Sequence, residues 1–234
     1  DIKNLTVTGC SKRGWTTYLT GAVDPRANAI APIVIDVLNM PKQMEHQLAT
    51  WGDYSVMIKD YTERGIQSHA NTPEGQALNA IVDPYRYIQH LTQPKLLVIG
   101  TNDQYWPLDD LVGEKYILYV PNNGHGVNDF RRILGSIGAL HKQAAGQITL
   151  PKMSWDLQES GDKLVLSFKA DQQPKKVSAW IATSPTRDFR EAKWKDTTIE
   201  ATDGVYQHEV PVSSDQYVAM FGEGQFDAGG MTCF

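Results

Sequence analysis

The feature that most constrains this chain is the texture of its first 150 residues. Short apolar runs of strand length each end in a turn, and a helical or polar stretch follows. The runs are IKNLTVTG (2–9), AIAPIVID (29–36), KLLVIGTND (95–103) and KYILYVPNNGHG (115–126). Apolar runs of this kind predict strands buried on both faces, and SKRGWTTYLTGAV (11–23) and VNDFRRILGSIGALHKQAAG (127–146) carry helical spacing. Strands alternating with helices predict an α/β fold with a parallel sheet covered on both sides. Residues 37–93 are too long for a simple crossover. They mix the helical patterns MPKQMEHQLATWG and PEGQALNAIV with turn signals, and read as a helical cap inserted between two core strands.

After Pro151 the texture changes. KLVLSFKA, KVSAWIAT, VYQHEV and YVAMF are short strand-like runs separated by turn clusters such as ESGD and ATDG. That pattern predicts a small all-β sandwich. The expected organisation is therefore an α/β region over 1–150 and a β-sandwich over 151–234.

Bulk properties narrow the class further. The chain is 41% apolar and 21% charged with a net charge of −5. Its basic residues are scattered, which argues against nucleic acid or a polybasic membrane patch as partner. No apolar run is long enough to span a bilayer. Cys10 and Cys233 are far apart in sequence and are expected to be free thiols.

The chemistry is expected where the first strand stops. TVTGCSKRGW places Ser11 on a sharp strand-to-helix turn, the nucleophile-elbow arrangement. Such a turn lifts the serine hydroxyl above the sheet edge and aims the helix N-terminus, starting with the Lys12 backbone N–H, at a developing oxyanion. A second glycine usually stands two residues after the serine. Here that residue is Arg13, and Gly14 follows it. A serine nucleophile needs a base, and the base needs an orienting carboxylate. Asp103 ends one buried strand and His125 ends the next, in the order Ser, Asp, His. If the strands are parallel, all three share one edge. Asp110 in PLDD is a backup acid. Trp15, Tyr105 and Trp106 adjoin these residues and are candidates to line a substrate pocket, although core packing is as good a reading. Lys12 and Arg13 are candidates to meet an acidic substrate group, and internal salt bridges are an equally good reading of them. His46, His69, His90, His141 and His208 show no metal-ligand spacing and read as structural or solvated, and a serine hydrolase built on Ser11, His125 and Asp103 needs no metal or organic cofactor.

Several long blocks resemble one family. GCSKRGWTTYLTGAVDPRANAIAPIVIDVLNM, VDPYRYIQHLTQPKLLVIGTNDQYWPLDD, GEKYILYVPNNGHG and the closing YVAMFGEGQF are similar, in order, to PhoPQ-activated pathogenicity-related proteins. The resemblance implies an α/β-hydrolase with a C-terminal β extension, exported to the periplasm or secreted, with peptidase-type activity in some members. It carries the family's serine to Ser11, its aspartate to Asp103 and its histidine to His125. The residue before the serine is usually alanine; here it is Cys10.

An α/β-hydrolase has several strands before its nucleophile strand, and members of this family look roughly twice as long as this chain. The expectation is the C-terminal half of such a sheet, with an N-terminal companion polypeptide as a candidate partner completing it. The expected function is a serine hydrolase acting on a small-molecule or peptide substrate. Two alternatives are a non-catalytic secreted binding or signalling protein on the same scaffold, and a carbohydrate esterase resembling glucuronoyl esterases. The latter share Gly-Cys-Ser but usually carry arginine where this chain has Lys12.

Overall fold

The computed structural model describes residues 2–108 and 115–234; the backup acid Asp110 lies outside them. The fold is mixed α/β, with one parallel and two antiparallel sheets, and the chain divides into two compact units, residues 1–128 and 129–234.

The first unit runs β1 (Leu5–Cys10), α1 (Lys12–Val23), β2 (Ala27–Ile33), α2 (Met40–Trp51), α3 (Lys59–Thr62), α4 (Pro73–Val82), β3 (Leu96–Gly100) and β4 (Tyr116–Val120). The four strands form a parallel sheet in the order β1-β2-β3-β4. Every residue of β3 is buried, as its unbroken apolar run requires. β1 is an edge strand among the described residues, and Leu5 and Thr8 are exposed on it. A cluster of Tyr18, Ile30, Ile35, Val37, Leu38, Leu91 and Trp106 packs α1 onto the sheet. Tyr18 is almost fully buried, and burial, reinforced by the charge of Asp36, pushes its phenol well above the ordinary range.

Between β2 and β3 the chain inserts a helical segment that carries α2, α3 and α4. Its helices start where local chemistry demands. Thr72 accepts a hydrogen bond from Gly75 N at 3.2 Å and Pro73 takes the first helical position, a standard start for α4. Asp83 closes the insertion onto itself. Its carboxylate accepts from Met40 N at 2.9 Å and Asn39 N at 3.2 Å at the start of α2, and from Tyr85 N at 2.9 Å at the start of the turn that follows α4. Burial pushes the Asp83 carboxyl above its usual value, while the three N–H groups and Arg86 pull it back. A carboxylate raised in this way favours folding in its protonated form. Its contribution therefore falls as pH rises from the ordinary carboxylate range through its raised value.

The second unit begins with α5 (Phe130–Ala144). Two four-stranded antiparallel sheets follow, built from β5 (Met153–Ser160), β6 (Lys163–Ala170), β7 (Lys176–Ser184), β8 (Lys195–Thr198), β9 (Ala201–Thr202), β10 (Val205–Pro211), β11 (Tyr217–Asp227) and β12 (Thr232–Cys233). Their orders are β5-β6-β10-β9 and β12-β11-β7-β8. Leu166, Phe168 and Tyr206 from one sheet meet Val177, Ala179 and Met220 from the other, which makes the sandwich core. Arg132 of α5 is inserted at the edge of this unit. It forms a two-pronged pair with Glu223, at 2.8 and 3.1 Å, and a further contact with Asp129 at 3.0 Å. Its guanidinium also faces the rings of Trp180 and Phe234. Cys233 is buried and Cys10 exposed, and both are free thiols.

Two outcomes are expected in denaturant titrations that resolve the units. Replacing Asp83 by alanine strands three backbone donors and costs the first unit about 3 kcal/mol; a loss below about 1 kcal/mol would show that water satisfies them. Arg132→Met leaves the Glu223 carboxylate buried without its partner and costs the second unit roughly 3 to 5 kcal/mol. The double variant Arg132→Met, Glu223→Leu is expected to recover much of that loss.

Candidate active site

Ser11 stands between β1 and α1 with φ 55° and ψ −124°, a left-handed backbone that side chains rarely adopt. Neighbouring groups hold it there. Ser11 N donates to Ile33 O on β2 at 2.8 Å, and Ser11 O accepts the first helical bond, from Trp15 N, at 3.1 Å. The two glycines around it are needed for close approach. A Cβ on Gly9 would lie 2.7 Å from the Arg13 Cβ and 2.8 Å from the Arg13 carbonyl oxygen. A Cβ on Gly14 would run into the Ile35 side chain and lie 2.9 Å from Gly9 O. This explains the unusual spacing. Arg13 takes the space that Gly9 leaves open, and the required glycine moves to position 14, where the helix crosses β2.

The parallel sheet brings the three strand ends together. His125 Nε2 lies 2.8 Å from Ser11 Oγ. His125 Nδ1 lies 3.0 and 3.2 Å from the two oxygens of Asp103. The Asp103 carboxylate is fully buried, while the His125 side chain keeps about a fifth of its surface exposed. Asp103 Oδ1 also accepts from Tyr105 N at 2.7 Å. The order of contacts is thus hydroxyl, imidazole, carboxylate, with the imidazole bridging.

The acid and histidine loops are fastened to each other. Asn102 N donates to Asn123 O at 2.9 Å and Asn122 N to Thr101 Oγ1 at 2.8 Å. His125 N donates to the side-chain oxygen of Gln104 at 3.1 Å. A Cβ on Gly100 would collide with the backbone oxygens of Asn123 and Gly124, so the two loops approach this closely only over glycine. Gln104 and Gly100 are site-building residues that motif reasoning missed. The string GTNDQ, residues 100–104, holds both in plain view, but nothing in its spacing says which loop each will touch.

The remaining candidates divide. Lys12 and Arg13 are exposed on the first turn of α1, and the Lys12 N–H is one of the N-terminal donors without a partner inside the helix. The Tyr105 ring packs against His125, with centroids 4.0 Å apart. Trp15 is half-buried and donates its indole N–H to Val82 O of the insertion at 2.6 Å. Trp106 sits within the core cluster. Among the described residues, no group of three His, Cys, Asp or Glu side chains could hold a metal ion, and no helix is long and apolar enough to cross a membrane.

The family model described as PhoPQ-activated pathogenicity-related protein matches residues 1–190. The chain belongs to that family. Autocrine proliferation repressor protein A of Dictyostelium discoideum is 34% identical to this PhoPQ-activated pathogenicity-related protein over 214 residues. The match covers 84% of the chain and 43% of the relative, so the chain spans less than half of that relative's length. Among solved structures, acetyl xylan esterase 1 from Thermoanaerobacterium is similar at 17% identity over 63% of this chain and 46% of that one, with a TM-score of 0.41. The acylaminoacyl peptidase of Pyrococcus horikoshii is similar at 19% identity over 62% and 23%, with a TM-score of 0.35.

The elbow geometry fixes the sign of one substitution. Alanine for glycine in an unconstrained helix position gains about 1 kcal/mol. At Gly14 the added methyl overpacks against the Ile35 side chain and the carbonyl oxygens of Gly9 and Ile33, and Gly14→Ala is expected to cost roughly 2 to 3 kcal/mol. A urea titration in which Gly14→Ala is as stable as the wild type would contradict the close-approach account.

Proposed function

We propose that this PhoPQ-activated pathogenicity-related protein is a serine hydrolase of the α/β-hydrolase type, with Ser11 as nucleophile, His125 as general base and acid, and Asp103 as the carboxylate that orients the imidazole. The observation that carries the reading is His125 bridging Ser11 Oγ at 2.8 Å and Asp103 Oδ2 at 3.0 Å. Each contact matches a chemical need. Asp103 accepts a hydrogen bond from the Nδ1–H, which fixes the tautomer and leaves the Nε2 lone pair facing the serine hydroxyl. As Ser11 Oγ bonds to an ester or peptide carbonyl carbon, its proton passes to His125 Nε2, and the carbonyl π electrons move onto the oxygen. The Lys12 N–H at the start of α1 is positioned to donate to that oxyanion. When the tetrahedral adduct collapses, His125 returns the proton to the leaving alcohol or amine. Water then repeats the sequence on the acyl-serine. No metal or organic cofactor enters any step. Tyr105, whose ring lies against His125, and the exposed Lys12 and Arg13 are the side chains proposed to meet the substrate. Family membership supports a periplasmic or secreted location.

A second reading has one specific observation in its favour. The Dictyostelium relative is named for repressing proliferation, not for a reaction. On that reading the chain is a signalling or binding protein on a hydrolase scaffold.

An active-site-directed fluorophosphonate separates the two. The hydrolase reading expects stoichiometric labelling of Ser11 that vanishes in Ser11→Ala and slows by about 10³-fold or more in His125→Asn. A folded chain whose serine takes no label would leave the binding reading.

A further inference from the structure

The inward face of α2 is unusual. Its two buried residues are Gln43 and Gln47, one turn apart, where an amphipathic helix normally presents aliphatic side chains. Burying an amide is unfavourable unless its hydrogen bonds are made. Gln47 makes them at both ends. Its Nε2 donates to Tyr105 O at 2.7 Å, and its Oε1 accepts from Ser55 N at 2.9 Å. Ser55, also buried, donates its hydroxyl to Gln104 O at 2.6 Å and accepts from Met57 N at 3.1 Å. Two consecutive carbonyls just after the acid are therefore gripped by two side chains of the insertion.

Those two carbonyls belong to the residues that hold the site's geometry. Tyr105 N donates to the Asp103 carboxylate, and the Tyr105 ring lies against the His125 ring. The Gln104 side chain accepts from His125 N. The path from the insertion to the acid and the base is one residue long in each case, and every contact in it is a hydrogen bond or a ring contact.

We propose that Gln47, with Ser55, is a positioning residue: the helical insertion sets the alignment of Asp103 and His125 through the Gln104 and Tyr105 carbonyls. The proposal rests on the hydrolase reading for its kinetic consequence, but the coupling to the Asp103–His125 contact stands on geometry alone. A volume-filling role would tolerate Gln47→Leu. A positioning role does not, because the Tyr105 carbonyl loses its donor. Gln47→Met is the sharper variant. It keeps the length of the side chain and fills the same space, but it removes both the donor to the Tyr105 carbonyl and the acceptor for Ser55 N.

The test uses the full chain with p-nitrophenyl acetate as probe. Gln47→Leu, Gln47→Met and Ser55→Ala are each expected to lower kcat by about 10- to 100-fold, with KM within about threefold of the wild type. Tyr87→Phe, which deletes a hydrogen bond to Ala80 O inside the insertion, is expected to leave kcat unchanged. Proton NMR supplies a readout independent of turnover. The low-field Nδ1–H resonance of His125 is expected to be sharp in the wild type and lost or broadened in folded Gln47→Met and Ser55→Ala. Variants that fold and keep both the wild-type kcat and the sharp resonance overturn the proposal. If the wild type takes no fluorophosphonate, the hydrolase reading fails. The resonance still decides the coupling: its loss in the variants supports it, and its persistence overturns it.

Discussion

The whole first unit depends on the contact between the end of β1 and the start of α1. A serine held at positive φ costs on the order of 1 to 3 kcal/mol, which the surrounding structure must supply. Two hydrogen bonds, from Ser11 N to Ile33 O and from Trp15 N to Ser11 O, fix the turn from both sides. Gly9 and Gly14 let strand and helix close to backbone contact. From this one junction several consequences follow. The hydroxyl is raised at the C-terminal edge of the sheet, α1 starts at the very next residue, and it is aimed across β2 so that Tyr18 enters the core. With β3 and β4 parallel to β1, the loops after Gly100 and Val120 open on the same edge. Asp103 and His125 then need to travel only a few residues to meet Ser11.

β2 and β3, and the residues at their ends, were legible because burial on both faces leaves a plain mark in the sequence; β1 and β4 are only partly buried and were legible as short apolar runs that end in turn residues. LLVIG and YILYV are apolar runs that end in turn residues, and a parallel sheet then puts every such ending on one side. What binds the endings together was not legible. Gln104 reaches the His125 backbone, Thr101 reaches Asn122, and Gly100 makes room for the Asn123 and Gly124 carbonyls. These contacts join residues about 20 positions apart through polar atoms whose partners no local pattern specifies. The spacing of the glycines near Ser11 looked like a departure from the usual motif. Its reason, the Arg13 Cβ facing Gly9 while Gly14 faces β2, exists only in three dimensions.

The second unit shows the same divide. β6, β7, β10 and β11 follow segments with clear strand character because each buries one face in the sandwich. β5 left no such mark, because from Ser154 to Ser160 every residue is exposed and Trp155 and Leu157 lie at an open edge. β8 is the polar tetrapeptide KDTT. Helix α5 carried strong helical spacing, but its sequence did not say what it would pack on. The structure joins it to the sandwich through Arg132, whose paired Glu223 comes 91 residues later. A buried charge pair of this kind stabilises less than its Coulomb energy suggests, since both ions are stripped of water. Its geometry is demanding, however, and it admits few alternative seatings of the helix.

The same reasoning applies to the buried amides of α2. An aliphatic side chain at position 47 would contribute more transfer free energy to the insertion and would need no partner. An amide contributes less, but it discriminates: it stabilises one placement of the Tyr105 carbonyl to within a few tenths of an ångström and penalises others. That trade is worthwhile where position matters more than stability. The turn after Asp103 has no sheet ladder to hold it, and it carries both the donor to the acid and the ring against the base. Fixing it from a separate helical segment makes the alignment of the strand-end residues depend on the insertion as a whole. Asp83 ties that insertion shut at one end, and Trp15 anchors it to α1 at Val82. The insertion therefore contacts the serine side of the site through Trp15 and the acid side through Gln47 and Ser55. A displacement of the insertion would act on both sides at once.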